Sequence, residues 1–321
     1  MILTLLLWSL IFIVSLTVLL KASDYFVEAS EKIGIYANVP KFVIGATIIA
    51  LGTSLPELAS SIVSVIENSS EIVVGNVLGS NVANIFLVFG ISVFFFKVPQ
   101  LYDKKRFIDL IILQVITLLF GLSILDQDFA YYECIIFIVL FIAYLVYVLK
   151  FRDSLIDIED LIEEEKTHKI SWKEPVILII SVIFIYLGAK YTVEAVIQLS
   201  NILNIGKEII AITAVALGTS LPELFVSYVA GKKGNFEMVI GNVIGSNIFN
   251  TLAIMGIPSL FGKLIIPTNI IDYPLPILVI ASVLLFLALI KKRLSKIIGG
   301  IFLLFYIGFI AVVIAQSNGY L

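Results

Sequence analysis

Six residues, Gly52-Thr53-Ser54-Leu55-Pro56-Glu57, interrupt an apolar run that extends from Phe42 to Ile66. Roughly 20 apolar residues are enough for a helix to cross a bilayer. Pro56 has no N–H to donate and its ring clashes with the preceding turn, so the helix is expected to break there. Within hydrocarbon, broken backbone is tolerated only where it is buried in protein or lines a wet cavity. An ionisable residue at that depth points to function. The same six residues return as Gly218-Thr219-Ser220-Leu221-Pro222-Glu223, again inside an apolar run. Two broken helices, each with a central Glu, imply one site built by two halves.

The remainder of the chain repeats with them. Glu223 minus Glu57 is 166, and the same offset relates Tyr25 to Tyr191, Glu28 to Glu194, Asn38 to Asn204, Thr47 to Thr213, Gly75 to Gly241, Ser80 to Ser246 and Asn84 to Asn250. The composition is 60% hydrophobic and 14% charged, with a mean hydropathy of +1.11. Soluble domains carry about 25% charged residues, so this is a polytopic membrane protein. Ten apolar segments are predicted, at 2–22, 42–66, 71–96, 107–125, 130–150, 174–195, 208–230, 236–262, 272–291 and 295–316. The extended polar stretch 151–173 divides them into a first repeat, 1–150, and a second, 174–321. Five segments per repeat is an odd number, so the second repeat enters the membrane from the opposite side. The expected fold is all-α: ten transmembrane helices in two inverted-topology five-helix repeats, with broken helices at the midplane, where such folds bind their substrate.

Basic residues assign the sides. Loops following odd-numbered segments hold eighteen Lys and Arg, while the opposite side holds Lys190, Lys207 and Lys263. The positive-inside rule places the acidic linker 151–173 in the cytoplasm and both termini outside, in a cell membrane. The first apolar run lacks a positive n-region and a small-residue cleavage site, so no cleavable signal is expected.

A second polar stretch, Gly75-Asn76-Val77-Leu78-Gly79-Ser80-Asn81-Val82-Ala83-Asn84, pairs with Gly241-Asn242-Val243-Ile244-Gly245-Ser246-Asn247-Ile248-Phe249-Asn250. Ser80 and Asn84 share one helix face, as do Ser246 and Asn250. The glycines allow another helix to approach closely. The second, third, seventh and eighth segments can thus each turn a polar face to a common centre. Its donors are carboxylate, hydroxyl, amide oxygen and freed backbone carbonyl. Hard oxygen ligands suit Ca²⁺ and other hard cations, with Mg²⁺ disfavoured by its demand for octahedral geometry. Zn²⁺ and Cu would want His or Cys, and the chain has a single His168, in a polar loop, and a single Cys134.

Plainer roles fit some of these residues. Ser54-x-x-Glu57 is also a capping box, and a helix N-terminus keeps Glu57 ionised through its dipole. Asn76, Asn81, Asn242 and Asn247 suit bonds between helices. Glu28, Glu31 and Glu194 sit near segment ends, where solvent reaches them. The acidic run Asp153–Glu165 reads as a solvated helix or coil, too short for a separate sensing domain.

The paired motifs GTSLPEL with GNVLGSNVAN and GTSLPEL with GNVIGSNIFN resemble the two α-repeats of the sodium/calcium exchanger family, within the cation/calcium antiporter superfamily. The resemblance covers both halves of the chain and implies two inverted five-helix repeats. By it, Glu57 and Glu223 would be the calcium carboxylates, helped by the backbone carbonyls of Thr53 and Thr219. Sodium sites would draw on the Ala50 and Ala216 carbonyls with Ser54, Ser80, Ser220 and Ser246. Segments one and six would be a long, tilted gating pair. The potassium-dependent branch and some prokaryotic members resemble this chain but carry Asp at the place of Asn250. The amide here argues against potassium dependence and leaves two central carboxylates.

The resulting expectation is a secondary antiporter, not an enzyme. It exchanges Na⁺ for Ca²⁺ by alternating access, with no cofactor, nucleic acid or obligate protein partner. A proton-driven Ca²⁺ antiporter is the alternative, although its usual motif resembles Gly-Asn-x-x-Glu and lacks these hydroxyls. An intramembrane aspartyl-type protease would need Asp, and no Gly-x-Gly-Asp is present. A passive channel is disfavoured because a closely liganded two-carboxylate site holds its ion too well for fast conduction.

Overall fold

The computed structural model describes residues 2–36, 53–96, 104–151, 172–232, 234, 236–290 and 294–317. Asn38, Lys41, Thr47, Ala50, Gly52, nearly all of the acidic linker and His168 lie outside them. The described chain is almost wholly helical: α1 (Ile2–Tyr36), α2 (Leu55–Ile66), α3 (Glu71–Val82), α4 (Gly90–Phe95), α5 (Lys104–Ile124), α6 (Tyr131–Phe151), α7 (Lys173–Leu203), α8 (Lys207–Ile210), α9 (Ala216–Thr219), α10 (Leu221–Lys232), α11 (Phe236–Phe249), α12 (Met255–Ser259), α13 (Thr268–Asp272), α14 (Pro274–Ile290) and α15 (Lys296–Ser317). Three π-helical stretches keep some of these continuous. Ala83–Phe89 joins α3 to α4, Ala211–Val215 joins α8 to α9, and Asn250–Ile254 joins α11 to α12.

Among the described residues, nine helical spans are long and apolar enough to cross a membrane, and α2 is a shorter apolar helix. The nine match nine of the ten predicted segments, while segment 42–66 is described only from Thr53 onward. Two boundaries differ. Segment one ends at residue 22 by hydropathy, yet α1 runs on to Tyr36; segment six ends at 195, yet α7 runs on to Leu203. The added turns are polar but helix-competent, and Lys32 and Glu28 brace them as an i,i+4 pair at 2.7 Å. Lys21 and Lys32 therefore stand on a helix, not in a loop. α7 ends where Asn204 takes a left-handed φ of 55°, a conformation Asn tolerates at a helix C-terminus.

Burial sorts the spans. Most of the apolar stretch of Glu71–Phe95 and of Phe236–Ser259 is buried, at 83% and 78%, whereas that of Ile2–Gly34 is 17% buried. The centre of the bundle is thus made of the two spans that carry the Gly-Asn motifs. Leu3, Leu6, Leu7, Leu10 and Ile13 of α1 are exposed, the surface a helix offers to lipid rather than to water. α1 packs along α7. At their crossing, a Cβ on Gly188 would stand 2.8 Å from the Leu19 backbone, and Thr192 donates to Ser15 at 3.0 Å.

The connections at one end of the bundle are tied together. Lys207 pairs with Glu71 at 2.8 Å and donates to Ser69 at 3.1 Å. The Ile265 N–H donates to Ser70 Oγ, Lys263 pairs with Asp128, and Gln316 Nε2 donates to the Asn269 carbonyl. The turns after α2, α5, α7 and α12 and the end of α15 therefore gather at the same end. These are the connections that follow even-numbered segments.

The halves also match over most elements where both are described, although the single helix α5 falls at the offset on two helices, α13 and α14. α2 and α10 coincide at both ends under the 166-residue offset, and the π-helical stretches begin at Ala83 and Asn250, one residue out of step.

Candidate functional site

The two broken helices bring their motifs to the centre. α9 ends at Ser220, with φ −81° and ψ 3°, and α10 begins at Leu221. Ser54, with φ −96° and ψ 9°, holds the same non-helical conformation before α2. Pro222 supplies no N–H, so the Gly218 carbonyl loses its helical donor. Glu57 and Glu223 each fall in the first turn of the new helix, where the helix dipole favours negative charge.

Both glutamates are buried, each with 1% of its surface exposed. The Ser54 hydroxyl donates to Glu223 Oε1 at 3.1 Å, across 169 residues of sequence. Thr53 and Ser246 also present their side chains to the Glu223 carboxylate, and Thr219 presents its side chain to Glu57. The Thr219 hydroxyl is donated to the Val215 carbonyl at 3.0 Å, and among the described residues neither Glu57 oxygen has a hydrogen-bond partner. Among the described residues neither carboxylate has a basic partner.

The capping box expected of Ser54 and Glu57 is not formed, because Ser54 makes no side-chain cap. Its hydroxyl reaches the other half instead. Asn84 and Asn250 are fully buried, and among the described residues all four of their amide atoms lack a partner; so do Ser220 Oγ and Glu223 Oε2. Each Asn lies in a π-helical stretch that packs against the glutamate helix of the opposite half: Ala83–Phe89 against α10, and Asn250–Ile254 against α2. Such stretches are frequent at functional sites, since the inserted residue interrupts the helical ladder. Ser80 is buried but donates to Asn76 Oδ1 at 3.4 Å. The Ala216 carbonyl accepts the Ser220 N–H at 3.0 Å and, more weakly, the Thr219 hydroxyl at 3.5 Å. Ala50 lies outside the described residues.

Of the amides expected to bond between helices, Asn81 donates to Thr251 across the two halves at 2.9 Å, and Asn242 donates to Ser227 and to the Glu223 carbonyl. Asn247 bonds its own helix at the Val243 carbonyl. Thr251, Ser227 and its counterpart Ser61 are polar positions that the motif reading passed over. Ser61 and Ser227 did carry a signal, a hydroxyl one turn beyond each Glu at the shared offset. The π-helical stretches left none, because hydropathy does not distinguish them from α-helix.

A buried polar group without a partner costs about 1–3 kcal/mol. A centre holding two carboxylates and several idle amide and hydroxyl oxygens is therefore built for something that supplies positive charge. Among the described residues no group of three or more His, Cys, Asp or Glu side chains is placed to hold a metal ion. The donor set is two carboxylates surrounded by neutral oxygens.

Comparison with known proteins agrees. The family model for "Sodium/calcium exchanger protein" matches residues 7–150 and 173–315. The sodium/calcium exchanger MaX1 of Methanosarcina acetivorans is 32% identical over 350 aligned residues, covering 94% of this chain and 97% of that one. An uncharacterized membrane protein of Methanocaldococcus jannaschii is 35% identical over 92% of this chain and 94% of its own length. A solved structure of the sodium-calcium exchanger NCX_Mj, soaked with Na⁺ and Sr²⁺, is similar over 96% of this chain and 99% of that one, with a TM-score of 0.63 and 32% identity. With both halves matched by the family model and relatives aligned end to end, this chain belongs to the sodium/calcium exchanger family.

Proposed function

We propose that the chain is a secondary active antiporter of the cell membrane. It exchanges Na⁺ for Ca²⁺ by alternating access at a central site shared by Glu57 and Glu223. One observation carries the reading: the carboxylates of two sequence repeats lie buried in one centre, without basic partners and amid idle neutral oxygens. Two carboxylates neutralise one Ca²⁺. The oxygens of Thr53, Thr219, Ser54, Ser220, Ser80, Ser246, Asn84, Asn250, Ala50 and Ala216 complete the calcium and sodium sites. The ten-helix plan with two inverted repeats, 1–150 and 174–321, is part of this reading. Two features support it: the coincidence of α2 with α10, and the gathering of even-numbered connections at one end. The linker 151–173 faces the cytoplasm and both termini face outside.

Sodium is the proposed driver because Na⁺ needs several neutral oxygens, and this site has them. A proton needs only a carboxylate, so the proton-driven Ca²⁺ antiporter remains the competing reading. Membrane vesicles preloaded with sodium and diluted into calcium test the choice, with choline, potassium or an acid-inside proton gradient as alternative conditions. Sodium-loaded vesicles are expected to take up calcium, with no need for potassium. Equal uptake driven by the proton gradient without sodium would favour proton antiport.

A further inference from the structure

The two halves of the site carry matching residues but make different bonds. Asn242 of α11 donates to the Glu223 carbonyl at 3.0 Å and to Ser227 Oγ at 2.9 Å, both on α10. Its counterpart is Asn76 of α3, whose equivalent partners are the Glu57 carbonyl and Ser61 of α2. Neither bond is made. Asn76 Nδ2 and Ser61 Oγ are buried without a partner among the described residues. Ser246 faces the Glu223 carboxylate, whereas Ser80 donates to Asn76 Oδ1. Ser54 donates to Glu223, whereas Ser220 Oγ is idle. Thr53 beside Glu223 and Thr219 beside Glu57 correspond, as do the idle amides of Asn84 and Asn250.

More of these bonds are thus made at Glu223 than at Glu57, although Glu223 Oε2 and Asn84, in the stretch packed against α10, are idle as well. One difference is written in the sequence: Ser60 donates to the Glu57 carbonyl at 3.0 Å, and its counterpart is Val226. Ser60 occupies the carbonyl that Asn76 would brace. It does not account for the idle Ser61, Asn76 Nδ2 and Ser220. Buried groups without partners are costly, and matching groups in the other half show the bonds such residues can form.

We propose that Asn242 and Asn76 are paired positioning residues that engage alternately. In the arrangement seen here Asn242 ties α10 to α11 through Ser227 and the Glu223 carbonyl. In the opposite-facing arrangement Asn76 displaces Ser60 and ties α2 to α3 through Ser61 and the Glu57 carbonyl. Each brace holds the first turn of one glutamate helix, so the halves exchange roles as the site turns from one side of the membrane to the other. This inference rests on the alternating-access reading above.

The test is the calcium KM measured separately at the two faces of oriented proteoliposomes. Apparent affinity at a face scales with the population of the state open to it. Asn242→Ala should shift the ratio of the two KM values roughly fivefold in one direction, and Asn76→Ala by a similar factor in the other, the worth of about one buried hydrogen bond. Ser227→Ala and Ser61→Ala, which remove a single hydroxyl each, should follow Asn242→Ala and Asn76→Ala respectively and serve if an Asn variant does not fold. A merely structural role would move both faces together, and that result, or an Asn76 variant with no effect at either face, overturns the proposal. Melting temperatures of the ion-free protein judge the brace without transport. Asn242→Ala and Ser227→Ala should be non-additive, and Asn76→Ala and Ser61→Ala additive. Equal coupling in both halves would also overturn it. Absence of calcium flux in the wild-type protein would instead count against the transport reading, and the melting cycles would then decide the brace alone.

Discussion

The backbones of Gly79 and Ile212 are in such close contact that a Cβ on Gly79 would stand 2.3 Å from the Ile212 carbonyl oxygen and 2.6 Å from the Ala216 Cβ. Gly75 makes a similar approach, since a Cβ there would stand 2.7 Å from the Glu208 carbonyl oxygen. These two glycines seat α3 of the first half directly on the span that leads to Ser220 in the second. The site can be shared between halves because no side chain separates them here.

Gly79→Ala should therefore damage the protein more than a glycine-to-alanine change usually does in a helix, where Ala is favoured by roughly 1 kcal/mol. The new methyl meets backbone, which cannot swing aside as a side chain can. Overpacking of this kind costs about 1–3 kcal/mol. The expected outcome is a lower melting temperature in detergent and weakened exchange. Gly308, with nothing within 4 Å of where its Cβ would lie, is the control, and Gly308→Ala should be neutral or slightly stabilising. Equal melting temperatures for the two variants would count against the close approach.

Glu57→Gln and Glu223→Gln should each abolish calcium exchange while the protein still reaches the membrane. On the proposed reading either change removes one of the two charges that neutralise the ion, in a medium where Coulomb interactions are several-fold larger than in water. Losing one member of a buried charge pair costs about 2–5 kcal/mol, which is more than tenfold in affinity. Calcium uptake by membrane vesicles, normalised to protein in the membrane, measures this. Near-normal uptake by either variant would remove that residue from the site.

Ser54→Ala should weaken sodium more than calcium. The Ser54 hydroxyl is bound to Glu223 Oε1 at 3.1 Å, and a hydrogen bond to a charged group is worth about 1.5–3 kcal/mol. On the proposed reading calcium retains both carboxylates in the variant, whereas sodium loses one of its neutral oxygens. Titrating exchange with sodium at fixed calcium, and the reverse, should show the sodium curve moving by roughly tenfold and the calcium curve by less. A larger movement of the calcium curve would place Ser54 on the calcium side of the site.

Much of this was legible in the sequence because the bilayer restricts what a broken apolar run can mean. A proline and a glutamate inside such a run leave few options other than a cation site, and duplication at a fixed offset names the second half. The break before α10 follows from Pro222, the burial of Asn84 and Asn250 from their place inside apolar segments, and the close approach at Gly79 from a residue type that permits it. The bonding partners do not. Ser54 reads equally well as a local cap and as a cross-half donor, because the two uses differ only in how α2 is rotated. Which amide braces which carbonyl depends on helix register across the interface, which no single segment encodes. Hydropathy underestimates the lengths of α1 and α7 because it ends at residues 22 and 195, while helix propensity carries both helices onward and the Glu28–Lys32 pair braces the added turns of α1.

The side of the membrane on which the linker lies is the remaining question that a single labelling experiment answers. With Lys21 and Lys32 placed on α1, sixteen of the 21 Lys and Arg residues fall with the linker and the connections that follow odd-numbered segments. The contacts joining Lys207 to Glu71, Lys263 to Asp128 and Ile265 to Ser70 gather the even-numbered connections at the other end. Positively charged loops are retained in the cytoplasm, so Glu159 should face inward. A cysteine introduced at Glu159 in a Cys134→Ser background should resist an impermeant thiol reagent in intact cells and react once the membrane is permeabilised. A cysteine at Lys263, whose side chain is 70% exposed, should react in intact cells. Reversal of the two patterns would invert the orientation while leaving the arrangement of the site unchanged, and reaction of both in intact cells would break the alternation of connections on which the ten-segment plan depends.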